Sequence, residues 1–214
     1  MKPAKLKDLR RRGPVRQVNK TVLIVCEGSK TEPAYLRDMV QDYGIHGVVE
    51  VTGECGSAPI SVVEKAIDMF EKNGSYDSVY CVFDRDSHTT YDQAVAKVAG
   101  YKLERREKGR IVHSAKFVAI PSVPCFEYWI LLHYSAAAPP MPVFSDLLPR
   151  LKKVGDFSNY EKGMARVYQL LRDLTPTAVV NATTVARNAA ASGSLNPMTL
   201  MHVLVSDLGA LRRR

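Results

Sequence analysis

Hydrophobic runs alternate with amphipathic segments over the first two thirds of the chain. Continuous apolar and β-branched runs are typical of strands that are covered on both faces of a sheet. Between them, apolar residues recur at helical spacing, as at Val63, Ile67 and Phe70. This alternation predicts an α/β fold with a mostly parallel sheet and flanking helices. The predicted strands are 21–26, 48–51, 78–83 and 116–120, and the predicted helices are 32–43, 60–72, 91–98 and 126–134.

The pattern changes after residue 135, where a segment rich in alanine and proline is followed by helical periodicity alone. We therefore predict three parts: a basic disordered tail at 1–20, an α/β core at 21–135 and a C-terminal helical region at 136–214. Within the core, the charged stretch 102–110 is predicted to be a mobile loop. The helices predicted in the C-terminal region are 144–154, 160–174, 177–191 and 198–211.

Charge is concentrated at the two ends of the chain. The net charge of the 214 residues is +8, of which residues 1–20 contribute +7 and the last three arginines contribute +3. The remaining body is therefore close to neutral. Basic tails attract nucleic-acid backbones through counterion release, although a solvated tail that aids solubility has the same composition.

The four cysteines lie far apart, and none forms a CxxC pair. This spacing predicts buried thiols in a reducing compartment and argues against a cysteine-based zinc site. No apolar run is long enough to span a membrane, and no apolar segment follows the basic N-terminus as it does in a signal peptide. We therefore expect a cytoplasmic protein.

Carboxylates follow two of the predicted strands directly. Glu27 ends the first run, and Asp84 and Asp86 follow the run at 78–83. Because the carboxyl ends of parallel strands meet at one edge of a sheet, we expect these side chains to converge. An Asp-x-Asp pair alone also caps helices or pairs with arginine, so the strand-end placement is what favours Mg²⁺ or Mn²⁺ binding. A divalent cation bound by Asp84 and Asp86 would remove the repulsion between three close carboxylates, with Glu27 as a further metal ligand or as a general base.

Four short motifs occur in order along the chain. They are VCEGSKTEP at 25–33, FDRDSH at 83–88, PCFEYWILLH at 124–133 and NPMT at 196–199. Together they resemble the motifs of the RloB family over residues 21–208. The resemblance implies a Toprim-like fold, in which Glu27 is the general acid or base and Asp84 and Asp86 hold the metal. It also implies a bacterial defence or restriction-linked locus, where such proteins accompany an ABC-type or AAA-type ATPase.

Four residues near the predicted metal site are candidates for substrate contact. Lys30 and Thr31 precede a helix whose free N–H groups favour anions, although their spacing does not match a P-loop. Arg85 can neutralise the aspartates, contact substrate or form an exposed ion pair. His88 can donate a hydrogen bond to a phosphate, although a loop histidine is most often merely exposed.

Glu127 and His133 are secondary candidates. Glu127 lies in the first turn of a short apolar helix, where it either favours the helix dipole or adds a fourth acidic group to the site. His133 follows six positions later, about 240° around the helix, so the two residues do not share a face. A core histidine bonded to the backbone is the favoured interpretation of His133.

Two functions remain open at this point. The first is a metal-dependent nuclease that cleaves DNA or structured RNA, acting as the effector of an anti-phage or restriction-linked system with an ATPase partner. The second is a non-catalytic docking subunit of an ATPase complex, with the C-terminal helices as its interface; these helices also offer a surface for a homodimer. The intact carboxylates favour the nuclease, because a docking module has little need of them.

Overall fold

The structure is a computed structural model that describes residues 20–45, 47–53, 56, 58–85, 88–137 and 139–212. The predicted basic tail, apart from Lys20, lies outside the described residues, as do Asp86 and the last two arginines. No helix in the described part of the chain is long and apolar enough to cross a membrane.

A six-stranded, mostly parallel sheet forms the centre of the molecule, as the hydrophobic pattern predicts. Its strands are β1 (Lys20–Cys26), β2 (Gly47–Thr52), β3 (Ser78–Asp84), β4 (Leu103–Glu107), β5 (Arg110–Val123) and β6 (Met198–Thr199). The order is β2-β1-β3-β5-β4, and β6 pairs with the end of β5. The pairs β1–β2, β1–β3 and β3–β5 are parallel, whereas β4 and β6 run antiparallel to β5. The carboxyl ends of β1, β3 and β5 therefore meet at one edge.

Helices flank this sheet and account for most of the C-terminal region. They are α1 (Thr31–Asp42), α2 (Pro59–Asn73), α3 (Tyr91–Gly100), α4 (Glu127–Leu132), α5 (Phe144–Leu151), α6 (Val167–Leu171), α7 (Thr175–Ser192) and α8 (Met201–Gly209). Helix α2 contacts β1 and β3, while α3 and α8 contact β5. Every residue from Val22 to Cys26 is buried, so β1 is covered on both faces, as its unbroken apolar run predicts.

One hydrophobic core runs from the sheet into the C-terminal helices. Tyr35 on α1 packs edge-on against both Phe126 and Tyr168, at centroid distances of 5.5 and 5.4 Å. Its hydroxyl oxygen accepts a hydrogen bond of 3.0 Å from the indole N–H of Trp129. The division of the chain at residue 135 stays a prediction, and the buried contact of Tyr35 with Tyr168 crosses it.

Three segments differ from the predicted secondary structure. The predicted helix 198–211 begins only at Met201, because Met198 and Thr199 pair with β5 as strand β6. The charged stretch 102–110 is not a loop: it contains β4 and turns at Lys108 and Gly109 into β5, which is longer at both ends than the predicted strand 116–120. Both faces of this hairpin are exposed near its tip, so no alternation of apolar and polar residues announces it. The predicted helix 160–174 is helical only from Val167, because Gly163 and Arg166 adopt φ angles of 89° and 61°.

Candidate active site

Glu27 carries the first carboxylate of the site, at the end of β1. Its backbone N–H donates to the carbonyl oxygen of Val82 at 2.9 Å, which ties this position to β3. Its carboxylate Oε2 accepts a hydrogen bond of 2.9 Å from the backbone N–H of Asp84, and Oε1 lies 3.1 Å from Nε2 of His88. Glu27 and Asp84 therefore come together because β1 and β3 are neighbours.

Glu127 and Cys125 join Asp84 from the segment that follows β5. One oxygen of Asp84, one oxygen of Glu127 and the Cys125 sulfur all lie within 4.8 Å of one another. Glu127 is only 2% exposed, and its Oε1 accepts a hydrogen bond of 3.0 Å from the hydroxyl of Tyr160. Glu127 thus lies beside Asp84, as expected if it adds a further acidic group to the site. It also occupies the first turn of α4, where the helix dipole favours a carboxylate.

Glu32 is a further member of the cluster, and sequence reasoning missed it. Its carboxylate folds back over Gly28, where a Cβ atom would lie 2.4 Å from Oε2 of Glu32. The backbone of Gly53, just beyond β2, packs closely against the same turn. A Cβ atom at Gly53 would lie 2.2 Å from the carbonyl oxygen of Gly28 and 2.6 Å from Cγ of Pro33. Two glycines thus let the turn after Glu27 pack tightly enough to bring Glu32 to the site.

The carboxylates perturb one another strongly. Removal from water raises the pKa of Asp84 well above its usual value, and the charges of Glu32, Glu127 and Glu27 raise it further. The pKa of Glu32 is raised by burial and by the same neighbours. Burial and the adjacent carboxylates also raise the pKa of the Cys125 thiol, which therefore stays protonated at neutral pH. Among the described residues, these effects outweigh the opposing positive charge of Lys162 at both Asp84 and Glu32.

These residues fit a hard divalent cation. Carboxylate oxygens are the side-chain ligands that Mg²⁺ and Mn²⁺ prefer, and Asp84 and Glu127 present theirs at a common point. Burial and the charges of Glu32, Glu127 and Glu27 raise the pKa of Asp84, and a bound divalent cation would offset this repulsion. Asp86 lies outside the described residues, so its role as a ligand stays a prediction.

Lys162 brings a positive charge close to the cluster, and sequence reasoning missed this residue. Its positive charge acts to lower the pKa values of Asp84 and Glu32, against the effects of burial and of the neighbouring glutamates. Its ammonium group lies 4.8 Å from the centroid of the Phe144 ring, and the side chain is exposed. No motif marks this position, and the helical pattern predicted for 160–174 concealed the loop that carries it.

The remaining candidates are placed in other surroundings. The hydroxyl oxygen of Thr31 accepts a hydrogen bond of 2.8 Å from the backbone N–H of Gly163, and Lys30 is exposed beside the same glycine. The guanidinium of Arg85 lies 5.5 Å from the ring centroid of Tyr91. Thr31 thus holds a loop in place, and Arg85 stacks on an aromatic ring.

His133 is a core residue, as the favoured interpretation predicted. It is 1% exposed, its Nδ1 donates to the carbonyl oxygen of Trp129 at 2.9 Å, and its ring packs edge-on against the indole of the same residue. Burial lowers the pKa of His133 to about 4, so the ring is neutral at physiological pH.

Comparison with known proteins identifies one family. The family model described as RloB-like protein matches residues 22–208, which is most of the chain. No curated protein and no solved structure matches it.

Proposed function

The chain belongs to the RloB-like protein family, and on that premise we propose that it is a metal-dependent nuclease that cleaves phosphodiester bonds in DNA or structured RNA. One observation carries the proposal: Glu27, Asp84 and Glu127 converge at the carboxyl edge of the sheet, where this class of fold builds its ligand sites. The Toprim-like character of the fold belongs to the same proposal.

Mg²⁺ or Mn²⁺ is the proposed cofactor, held by Asp84 and Glu127 with Asp86 as a further ligand. When bound, a divalent cation polarises the phosphoryl oxygens and stabilises the leaving oxygen. The protein itself must then supply a group that accepts a proton and a surface that orients the nucleic acid.

Glu27 is the proposed general base. Its carboxylate is fixed on one side by the backbone N–H of Asp84 and on the other by His88, so its orientation is set before substrate binds. It removes a proton from the water that attacks phosphorus, while the bond from phosphorus to the leaving oxygen breaks and that oxygen takes a proton from solvent. The resulting carboxylic acid returns its proton to water to complete the cycle.

The proposed setting is an anti-phage or restriction-linked system in the cytoplasm, with an ABC-type or AAA-type ATPase as partner. The alternative remains a docking subunit of that ATPase without activity of its own. The acidic cluster favours the enzyme, because mutually repelling carboxylates destabilise the fold and a docking surface gains nothing from them.

The deciding experiment incubates the protein with Mg²⁺ or Mn²⁺ and with plasmid DNA, single-stranded DNA or total tRNA. Glu27→Gln and Asp84→Asn are compared with Glu64→Gln, a matched change on the exposed face of α2. We expect cleavage by the parent and the control, and a loss of about 10²–10⁴-fold in the two site variants. Equal cleavage by all four proteins would refute the assignment of Glu27 and Asp84. No cleavage by the parent, even with the purified ATPase, would support the docking alternative.

A further inference from the structure

Residues 160–166, the lysine loop, are tethered to the acidic cluster at two points. The hydroxyl of Tyr160 donates to Oε1 of Glu127 at 3.0 Å, and the backbone N–H of Gly163 donates to Oγ1 of Thr31 at 2.8 Å. Tyr160 is 1% exposed, so the first tether lies inside the protein. Lys162 stands between these two anchors, and its backbone position is therefore fixed relative to Glu127 and α1.

The ammonium group of Lys162 is close to the carboxylates without being bound to them. The charges of Glu127, Asp84 and Glu32 act on it, yet it makes no ion pair and no hydrogen bond with any residue in the described part of the chain. It lies instead against the face of Phe144, which stabilises a cation without using its N–H donors. No described residue accepts a hydrogen bond from its three N–H groups, which can therefore donate to an anion.

Charge balance indicates which anion this is. Glu27, Glu32 and Glu127 lie close enough to Asp84 for their charges to act on it, and each ionised carboxylate repels a phosphodiester that binds beside the cluster. One divalent cation does not offset four carboxylates. A fixed ammonium group at the rim of the cluster supplies a further positive charge where a phosphate oxygen would approach.

We infer that Lys162 is a direct ligand of the substrate phosphate, and that the lysine loop is the part of the site that selects a polynucleotide backbone. The inference rests on the proposed function. A permanent counter-ion for the carboxylates would be the competing role, but such a group would gain most from a direct ion pair, and Lys162 makes none with a described residue.

The test measures nucleic-acid binding with Ca²⁺ in place of Mg²⁺, so that binding is observed without dependence on turnover. Fluorescence anisotropy of a labelled single-stranded DNA and of a labelled tRNA is recorded at several KCl concentrations. Lys162→Ala and Lys162→Arg are compared with Lys152→Ala, which removes an equally exposed lysine just after α5.

Because Lys162→Ala removes one phosphate contact, it should weaken binding about three- to tenfold. It should also reduce the magnitude of the slope of log affinity against log salt by about one. Lys162→Arg should keep most of the affinity because it keeps the charge, and Lys152→Ala should match the parent. Glu27→Gln should bind at least as tightly as the parent, because it removes a charge that repels phosphate, while it loses cleavage.

Three results would overturn the inference. The first is that Lys162→Ala keeps the affinity and the salt slope of the parent while Glu27→Gln still loses cleavage. Lys162 would then not contact the substrate, and the proposed nuclease function would stand. The second is parental binding by Lys162→Ala together with an unfolding temperature that is lower than the parent's in EDTA and returns to it when Mn²⁺ is added. This result would identify Lys162 as a counter-ion for the carboxylates. No nucleic-acid binding by the parent would overturn the inference and the proposed function together.

Discussion

Replacing Asp84 by asparagine should stabilise the metal-free protein while it removes activity. The oxygens of Asp84 and Glu127 lie within 4.8 Å of each other, and two like charges at that distance repel by about 3.5 kcal/mol at an effective dielectric constant of about 20. Because Asp84 is partly exposed, solvent screening reduces this value, and we expect a gain of about 1–3 kcal/mol at pH 7.5. For a chain of this size, that is an increase in unfolding temperature of roughly 3–10 °C.

The pH dependence of this gain has a definite sign. The pKa of Asp84 is raised in the folded protein, so the folded state takes up a proton before the unfolded chain does as the pH falls. The parent therefore regains stability on acidification towards the usual carboxyl pKa of 3.8, and the advantage of Asp84→Asn shrinks. Saturating Mg²⁺ should reverse the order at pH 7.5, since a ligand at about 1,000 times its Kd stabilises the parent by about 4.1 kcal/mol.

Asp207→Asn is the matched control, measured by thermal unfolding in EDTA between pH 5 and 8. Although partial burial opposes ionisation, hydrogen bonds from Lys116 and Tyr80 hold the pKa of Asp207 below its usual value. The stability that this carboxylate contributes is present at neutral pH and is lost as the pH falls through its folded pKa, so Asp207→Asn should be destabilising at pH 7.5. If Asp84→Asn unfolds no higher than the parent in EDTA, or if its advantage is unchanged at pH 5, the account of the cluster as a repelling set is wrong.

Two further predictions concern the surroundings of the cluster. Gly53→Ala should lower both the unfolding temperature and nucleic-acid cleavage, because its Cβ atom would lie 2.2 Å from the carbonyl oxygen of Gly28; a parental melting curve and parental cleavage would contradict this close contact. Cys125→Ser should abolish the thiolate-to-metal charge-transfer band that Cd²⁺ produces on binding, because the Cys125 sulfur lies within 4.8 Å of oxygens of Asp84 and Glu127; persistence of the band in the variant would assign it to another thiol.

The part of the site that sequence could predict is the part built on strand ends. Glu27 and Asp84 each end an unbroken apolar run, and parallel pairing of β1 with β3 brings such ends together. Glu127 carried a weaker form of the same signal, because the segment after β5 also leaves the carboxyl edge. Periodicity identified these strands because both faces of a central strand must be apolar.

Lys162 and Glu32 could not be predicted in the same way. Glu32 reaches the cluster only because a backbone without side chains, at Gly28 and Gly53, lets the turn close tightly. Lys162 lies in a loop that two positive-φ residues remove from the helix that the periodicity predicted. Each placement depends on contacts between segments far apart in sequence, which local patterns do not encode.

The tether between Tyr160 and Glu127 also gives the site an order of assembly during synthesis. A nascent chain that has left the ribosome only through α4 already carries Glu27, Asp84 and Glu127, but it has neither the lysine loop nor the strand β6 that pairs with the end of β5. The 35 residues from Glu127 to Lys162 take roughly 2–7 s to add at about 5–20 residues per second. During that interval the acidic groups exist without Lys162, so a ribosome-bound precursor would lack the ammonium group that we infer to bind phosphate.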